Sequence, residues 1–190
     1  EATDPTVDSQ LVTLKASGAD VFFNIASPKF AAQAIRKVAE IGWKPQHYLS
    51  IVSVSVGSVM TPAGLGNGVG IISSMFYKDP SDPQVQSGKE WDDYRAWTSK
   101  YLPGIDVKDS AYVYGYIATQ ALVQVLKQAG DNLTRANIMK EAANLDMTIP
   151  MLLSGIRVKT GPEDFSPIEQ AQLMRFNGKS WEVFGKVYGR

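Results

Sequence analysis

The hydrophobic pattern near the start of the chain is a short apolar run followed by a helical stripe. Residues 21–25 are mostly aromatic or β-branched, which is typical of a strand buried on both faces. Ser27 and Pro28 then read as the N-cap and first residue of a helix that ends at Gly42. The apolar positions of that helix are Ala31, Ala34, Ile35, Val38 and Ile41. A buried strand leading into a covering helix is half of a β–α–β unit, so the pattern predicts an α/β fold with parallel sheets.

The pattern along the rest of the chain has three blocks: strand–helix units, a helical block and a final set of strands. A segment rich in proline and aspartate, residues 78–83, separates the first two blocks, because prolines do not continue a central strand. The predicted strands are residues 21–25, 48–54, 69–76, 155–159, 171–176 and 181–187. The later helices are predicted at residues 91–101, from residue 109 or 110 to Gly130, and from a cap at Thr134. Asn177-Gly178 predicts a hairpin between the last two strands.

Composition and charge exclude several classes of partner. Lys plus Arg and Asp plus Glu each number 19, so no bulk charge favours nucleic acid or an anionic membrane. The chain has no cysteine, which excludes disulfides and thiolate metal sites. No apolar run is long enough to span a bilayer. Because Glu1 stands in the middle of a pattern, we interpret the sequence as a piece of a longer protein.

Motifs for catalysis are not found in the sequence. It has no Gly-x-Ser-x-Gly elbow, no phosphate-binding loop and no paired histidines, and Asp92 and Asp93 are adjacent on a predicted helix, where they point to different sides. The only histidine, His47, follows Pro45 on a predicted turn, and we interpret it as exposed and without a chemical role. We therefore expect no enzyme activity, no catalytic residues, no metal and no cofactor.

Several short motifs resemble a known family in their order and spacing. They are Leu14-Lys15-Ala16-Ser17-Gly18-Ala19-Asp20, Ala31-Ala32-Gln33-Ala34-Ile35-Arg36, Gly42-Trp43, Lys78-Asp79-Pro80, Gly115-Tyr116, the stretch of residues 126–134, and Arg175-Phe176-Asn177-Gly178. Together they resemble the C-terminal portion of the periplasmic branched-chain amino-acid binding proteins, the solute receptors of ABC importers. The resemblance covers essentially the whole chain.

This resemblance implies a two-lobed periplasmic-binding-protein-like fold, with parallel sheets flanked by helices, present here as an incomplete C-terminal fragment. Residues 1–77 would be the second ligand-binding lobe without its first strand and helix. Residues 78–177 would be the returning segment of the first lobe, and residues 178–190 a C-terminal strand crossing back toward the second lobe. The N-terminal part of the same protein, with its share of the site, would be missing.

The resemblance also implies ligand contacts at the ends of two strands and on the long helix. Asn24, Ala26 and Ser27 follow the first strand, and Ser53 and Val54 follow the next. Tyr114 and Tyr116 open the long helix. Each has an ordinary alternative: Ser27 caps its helix, the other serine is a loop residue, and the tyrosines pack in the core.

The expected function is a periplasmic receptor that binds a small organic molecule between two lobes and delivers it to a membrane permease of an ABC transporter. Residues 48–74 contain no Asp or Glu, and a buried ligand ammonium requires a carboxylate partner. The sequence therefore favours an organic carboxylate, such as an aromatic, fatty or keto acid. Two alternatives stay open. The ligand could be a branched-chain amino acid if the missing lobe supplies the carboxylate, or the chain could be the ligand-sensing domain of a signalling receptor or regulator.

Overall fold

The computed structural model describes residues 5–190 and divides the chain into two compact units. The helices are α1 (Asp8–Ala16), α2 (Pro28–Glu40), α3 (Thr61–Ala63), α4 (Lys89–Tyr101), α5 (Ser110–Ala129) and α6 (Arg135–Ala142). The strands are β1 (Val21–Asn24), β2 (Gln46–Leu49), β3 (Ile72–Met75), β4 (Asp146–Met147), β5 (Val158–Lys159), β6 (Gln170–Phe176) and β7 (Trp181–Gly189). Short 3₁₀ and π turns occupy Ile51–Ser53, Val56–Met60 and Leu65–Gly68.

The first unit is built on a five-stranded sheet. This unit consists of the described residues up to Met75 together with Lys108–Ser110 and Leu173–Gly185. The strand order is β1-β2-β3-β6-β7, so β1 is an edge strand. Strands β1, β2 and β3 are parallel, and each of the first two is followed by a helix or helical turn. This α/β arrangement confirms the predicted fold class.

Helix α2 covers one face of this sheet. Four residues of the predicted apolar stripe are buried, namely Ala31, Ala34, Ile35 and Val38, and the fifth, Ile41, is partly buried after the end of the helix. Gly42 follows with a positive φ of 62°, which glycine adopts without steric cost. Phe22 and Leu11 pack with this stripe and form the core between α1, α2 and β1.

The other face of β1 is exposed, which corrects the prediction of a strand buried on both sides. Phe22 and Asn24 are buried, but Phe23 and Ile25 are 69% and 83% exposed. Phe23 stacks on Tyr48 of the neighbouring strand with 5.0 Å between ring centroids. Side chains alternate across a strand, and no element of the described chain covers this second face. An apolar run therefore indicates residues that are able to be buried, but it does not determine which of them the folded chain buries.

The second unit consists of Phe76–Val107, Ala111–Gln172 and Lys186–Arg190. Its core contains a chain of aromatic contacts: Trp91 packs on Tyr94 within α4, and Tyr94 packs on Tyr116 of α5. Glu90 ties the start of α4 to two other segments by accepting hydrogen bonds from Lys78 Nζ and from the backbone N–H of Met151. The hydrogen bond with the Lys78 ammonium lowers the pKa of the Glu90 carboxyl.

Two local predictions of caps and turns are confirmed in the structure. Thr134 caps α6 by accepting a hydrogen bond from Asn137 N. The turn after β6 closes through Asn177 N donating to Ser180 O, and β6 and β7 lie next to each other in the sheet. Among the described residues, no helix combines the length and hydrophobicity needed to cross a membrane.

Candidate ligand-binding site

The loops after β1 and β2 lie at the same edge of the sheet, because parallel strands place their carboxyl ends together. The two strands pair with Asn24 opposite Leu49, so both loops begin at the same level. Ser50 N donates to Asn24 O across this edge at 2.9 Å. One small region of the first unit therefore contains five of the predicted site residues, namely Asn24, Ala26, Ser27, Ser53 and Val54.

Direct hydrogen bonds join the two loops. Ser53 Oγ donates to Ala26 O at 2.7 Å, and Ala26 N donates to Asn24 Oδ1 at 3.2 Å. Ser53 and Asn24 are buried. The Ser53 hydroxyl is thus a structural tie between the loops in this structure, while Asn24 Nδ2 is buried with no hydrogen-bond partner in the described chain. An unpaired buried donor is a group that a ligand or a water would satisfy.

Ser27 occupies the predicted N-cap position of α2, with extended backbone and its carbonyl accepting from Ala31 N at 2.8 Å. Its hydroxyl, however, makes no capping hydrogen bond, which corrects the interpretation of its side chain as a cap. Pro28 follows at the first helical position and has no N–H. The exposed Ser27 hydroxyl and the first-turn N–H groups of α2 are therefore positioned to interact with an anion, as at other helix N-termini.

The second loop is held from the far end of the chain. Val54 is buried, and its carbonyl accepts a hydrogen bond from the indole of Trp181, Nε1, at 2.7 Å. Sequence reasoning missed Trp181, because 127 residues separate it from Val54 and no local pattern connects them. It also missed Ile25 and Val52, which carry the largest exposed apolar surfaces of the two loops. Exposure of apolar side chains at a loop is the one signal that would have pointed to them.

The two predicted tyrosines lie in the second unit and have different surroundings. Tyr116 is buried and packs edge-on against Tyr94 and Trp97, at centroid distances of 5.4 and 5.3 Å. Tyr114 is exposed and meets the ring of Phe76 edge-on at 6.2 Å. Of the two, Tyr114 has free surface for a ligand. Contact between either tyrosine and a ligand stays a prediction.

The charge distribution at the strand ends is one-sided. Residues 21–39 and 48–74 contain no Asp or Glu, whereas Lys29 lies exposed in the first turn of α2. Within the described residues, no group of three His, Asp or Glu side chains could hold a metal ion. The arrangement offers neutral donors and a nearby cation, which suits a neutral or negatively charged ligand group.

Comparison with known proteins identifies the family. Residues 1–180 match the family model described as periplasmic binding protein. The chain belongs to the periplasmic binding protein family. No curated protein matches this periplasmic binding protein at a significant level.

Solved structures share its fold at low sequence identity. A branched-chain amino acid ABC transporter protein from Thermus thermophilus with bound valine is 11% identical, with a TM-score of 0.81 over 97% of this chain and 50% of its own. A leucine-binding protein from Thermotoga maritima is 15% identical, with a TM-score of 0.71 over 98% and 49%. A solute-binding protein from Rhodopseudomonas palustris in complex with 4-hydroxybenzoate is 15% identical, with a TM-score of 0.74 over 98% and 50%. The chain thus spans about half the length of these proteins.

Proposed function

We propose that this chain is part of a periplasmic solute receptor of an ABC importer and that its ligand is a small organic carboxylate. The observation that carries the proposal is the combination at the ends of β1 and β2: a helix N-terminus with an unused Ser27 hydroxyl, and no acidic side chain in either loop. Anions are stabilised at a helix N-terminus. A ligand ammonium would find no carboxylate in these loops, and leaving it buried and unpaired is strongly unfavourable.

The structural neighbours support a receptor role and leave two ligand chemistries to compare. One of these proteins holds valine and another holds 4-hydroxybenzoate. The two ligands differ at the group that matters here, because valine carries an ammonium and 4-hydroxybenzoate does not. The uncharged loops of this chain favour the second kind. The same proposal includes the two predicted lobes, which are residues 1–77 and residues 78–177 with the returning strand of residues 178–190, and a ligand held between them. It also includes a membrane permease as partner, an N-terminal remainder of the same protein and a periplasmic location.

A thermal-shift panel on the full-length protein tests the ligand class. Matched pairs isolate the ammonium: leucine against 4-methyl-2-oxopentanoate, and phenylalanine against phenylpyruvate and cinnamate, with 4-hydroxybenzoate added. A ligand at 100 times its dissociation constant stabilises the native state by about 2.7 kcal/mol, which gives a readily measured rise in melting temperature. We expect the acids without an ammonium to raise it. If only leucine or phenylalanine does so, the carboxylate proposal is wrong.

A charge substitution then tests the location. Val52 is 64% exposed in the turn after β2, so Val52→Glu places a carboxylate in the proposed site without burying it. We expect this variant to weaken carboxylate binding at least about fivefold, since a like charge within a few ångströms costs on the order of 1 kcal/mol. Val12→Glu on the exposed side of α1 is the matched control and should leave affinity unchanged. Equal affinity in both variants would place the ligand elsewhere.

A further inference from the structure

Strand β1 has a free edge within the part of the chain that the structure describes. It is the first strand in the sheet order, with β2 as its only described neighbour. Asp20 O and Asn24 O accept hydrogen bonds from the first residue of β2 and from the residue after it, so alternate backbone groups of β1 face β2. The N–H and C=O groups of Val21 and Phe23 therefore point away from β2. A row of such groups at a sheet edge is a template for pairing with another strand.

The side chains next to this edge lie on the uncovered face of the sheet. Val21, Phe23 and Ile25 are all exposed. Parallel strands are normally covered by helices on both faces, whereas α1 and α2 both pack on the face that carries Phe22. Adjacent exposed apolar side chains of this kind mark an interaction surface. The edge and the face together indicate that a further segment packs here.

The direction of the chain before α1 follows from where that helix begins. Only residues 17–20 join α1 to β1, and Val7, just before α1, lines the same small cavity as Asn24 at the end of β1. The chain therefore enters α1 at the carboxyl end of β1. Consistent with this, Pro5 O accepts a hydrogen bond at 3.2 Å from Gln33 Nε2 in the second turn of α2. A strand that leads into α1 must end at this edge of the sheet, which makes it parallel to β1.

The handedness of β–α–β units fixes the side of the sheet on which that strand lies. Parallel strands joined by a helix almost always make a right-handed crossover. Helices α1 and α2 pack on the same face, so the crossovers through them progress across the sheet in the same direction. The crossover through α2 leads from β1 to β2. The crossover through α1 must therefore reach β1 from the opposite side, which is the free edge.

We propose that the N-terminal remainder of the protein contributes a strand that pairs in parallel with the free edge of β1 and a helix that covers Phe23 and Ile25. This chain spans about half the length of the solved structures compared above, and the other half of such a length is ample for both elements. A parallel strand ends at the same edge of the sheet as Asn24, so the loop after it borders the proposed ligand site. The inference rests on the proposed function only for the existence of that remainder.

Amide hydrogen exchange in the full-length protein, followed by NMR, tests the strand. We expect the N–H groups of Val21 and Phe23 to exchange at least about a hundredfold more slowly than those of an unstructured peptide, as the N–H of Phe22 does on the side of β2. Fast exchange at Val21 and Phe23 beside slow exchange at Phe22 would overturn the pairing. Close Hα–Hα contacts across this edge, which antiparallel pairs give, would overturn the parallel direction. Protection that disappears on dilution would assign the edge to a second copy of the protein instead.

A pair of substitutions in the full-length protein tests the covering helix. Phe23 and Phe165 are 69% and 60% exposed in the described chain. We expect Phe23→Ser to lower the melting temperature at least about three times as much as Phe165→Ser, because only the ring of Phe23 lies under the proposed helix. Equal, small falls would overturn the cover.

Contacts of the Phe23 ring give the same answer in the unsubstituted protein. We expect NOE signals from this ring to apolar side chains of the N-terminal remainder, and their absence would overturn the covering helix. None of these measurements uses a ligand. A thermal-shift panel that contradicts the carboxylate proposal therefore leaves them unaffected, and a free β1 edge would leave the carboxylate proposal in place.

Discussion

Replacing Trp181 by phenylalanine tests whether the carboxyl end of the chain holds the second loop in place. Trp181 is 2% exposed, and its Nε1 donates to Val54 O over 2.7 Å in a buried environment. The substitution removes this donor and part of the ring. It keeps an aromatic side chain next to Phe176, whose ring centroid lies 5.2 Å from that of Trp181.

The magnitude follows from these two losses. The Val54 carbonyl becomes a buried acceptor without this donor, which costs about 1–3 kcal/mol. The smaller ring removes buried apolar surface and leaves a cavity, which adds about 1–2 kcal/mol. We therefore expect Trp181→Phe to reduce the free energy of unfolding by about 2–5 kcal/mol. For a chain of this size, that is a fall in melting temperature of about 5–15 °C.

Urea denaturation followed by circular dichroism is the assay, and Trp97→Phe is the matched control. Trp97 is only partly buried, and its ring packs on Tyr101 at 5.7 Å while donating no hydrogen bond within residues 5–190. The same atoms are removed at both sites, but the buried hydrogen bond is lost only at Trp181. Equal urea midpoints for the two variants would refute the reasoning. If the proposed site is correct, Trp181→Phe also raises the dissociation constant for the carboxylate, because the Val54 loop is no longer fixed.

Three other outcomes follow from single contacts. Burial lowers the pKa of His47 to about 4, below the value near 6.5 in the unfolded chain, so the free energy of unfolding should fall by on the order of 3 kcal/mol as the pH is lowered from 6.5 to 4. The His47→Gln variant should lack this loss in denaturation measured at several pH values, and a pH dependence equal to that of the unsubstituted protein would contradict the prediction. Ser53→Ala removes the hydroxyl that donates to Ala26 O at 2.7 Å, and it should lower the free energy of unfolding measured with urea by about 1–2 kcal/mol. An unchanged free energy of unfolding would show that this hydrogen bond does not stabilise the loops. Gly189→Ala places a methyl group in steric conflict with the backbone oxygen of Glu169, so its melting temperature should fall below that of Gly104→Ala, where φ is also positive but the added methyl group meets open space. Equal melting temperatures would show that the backbone adjusts freely.

Local chemistry explains the elements that could be predicted from the sequence. The stripe of α2 is buried as its spacing predicts, and Thr134 caps α6, because both features depend on residues within one or two turns. The position of the site loops could also be predicted, since a parallel strand places its following loop at a known edge of the sheet.

The burial of particular side chains could not be predicted in the same way. The sequence predicts His47 on a turn after Pro45, but β2 begins at Gln46, and this register places His47 opposite Phe22. Phe23 has the same apolar character as Phe22 and is nevertheless exposed. Both outcomes depend on which distant elements cover a face, and that information is absent from a local window.

Individual roles within the site depended on contacts between distant segments. Ser53 was predicted as a ligand contact, and the structure uses its hydroxyl to join the two loops. The anchor of Val54 is supplied from β7. Spacing along the chain predicts where a loop lies, whereas the partner of each polar atom is set by the tertiary structure.

The division of the chain also sets the order in which the molecule can be assembled during synthesis. The sheet of the first unit needs residues 173–185, which leave the ribosome only after nearly all of the second unit. Strand β3 consequently has no β6 beside it until about a hundred further residues have been synthesised, and pairing between such distant segments is slow. A nascent chain stopped at residue 172 would carry an open sheet edge, the kind of surface that chaperones bind and that aggregates form on.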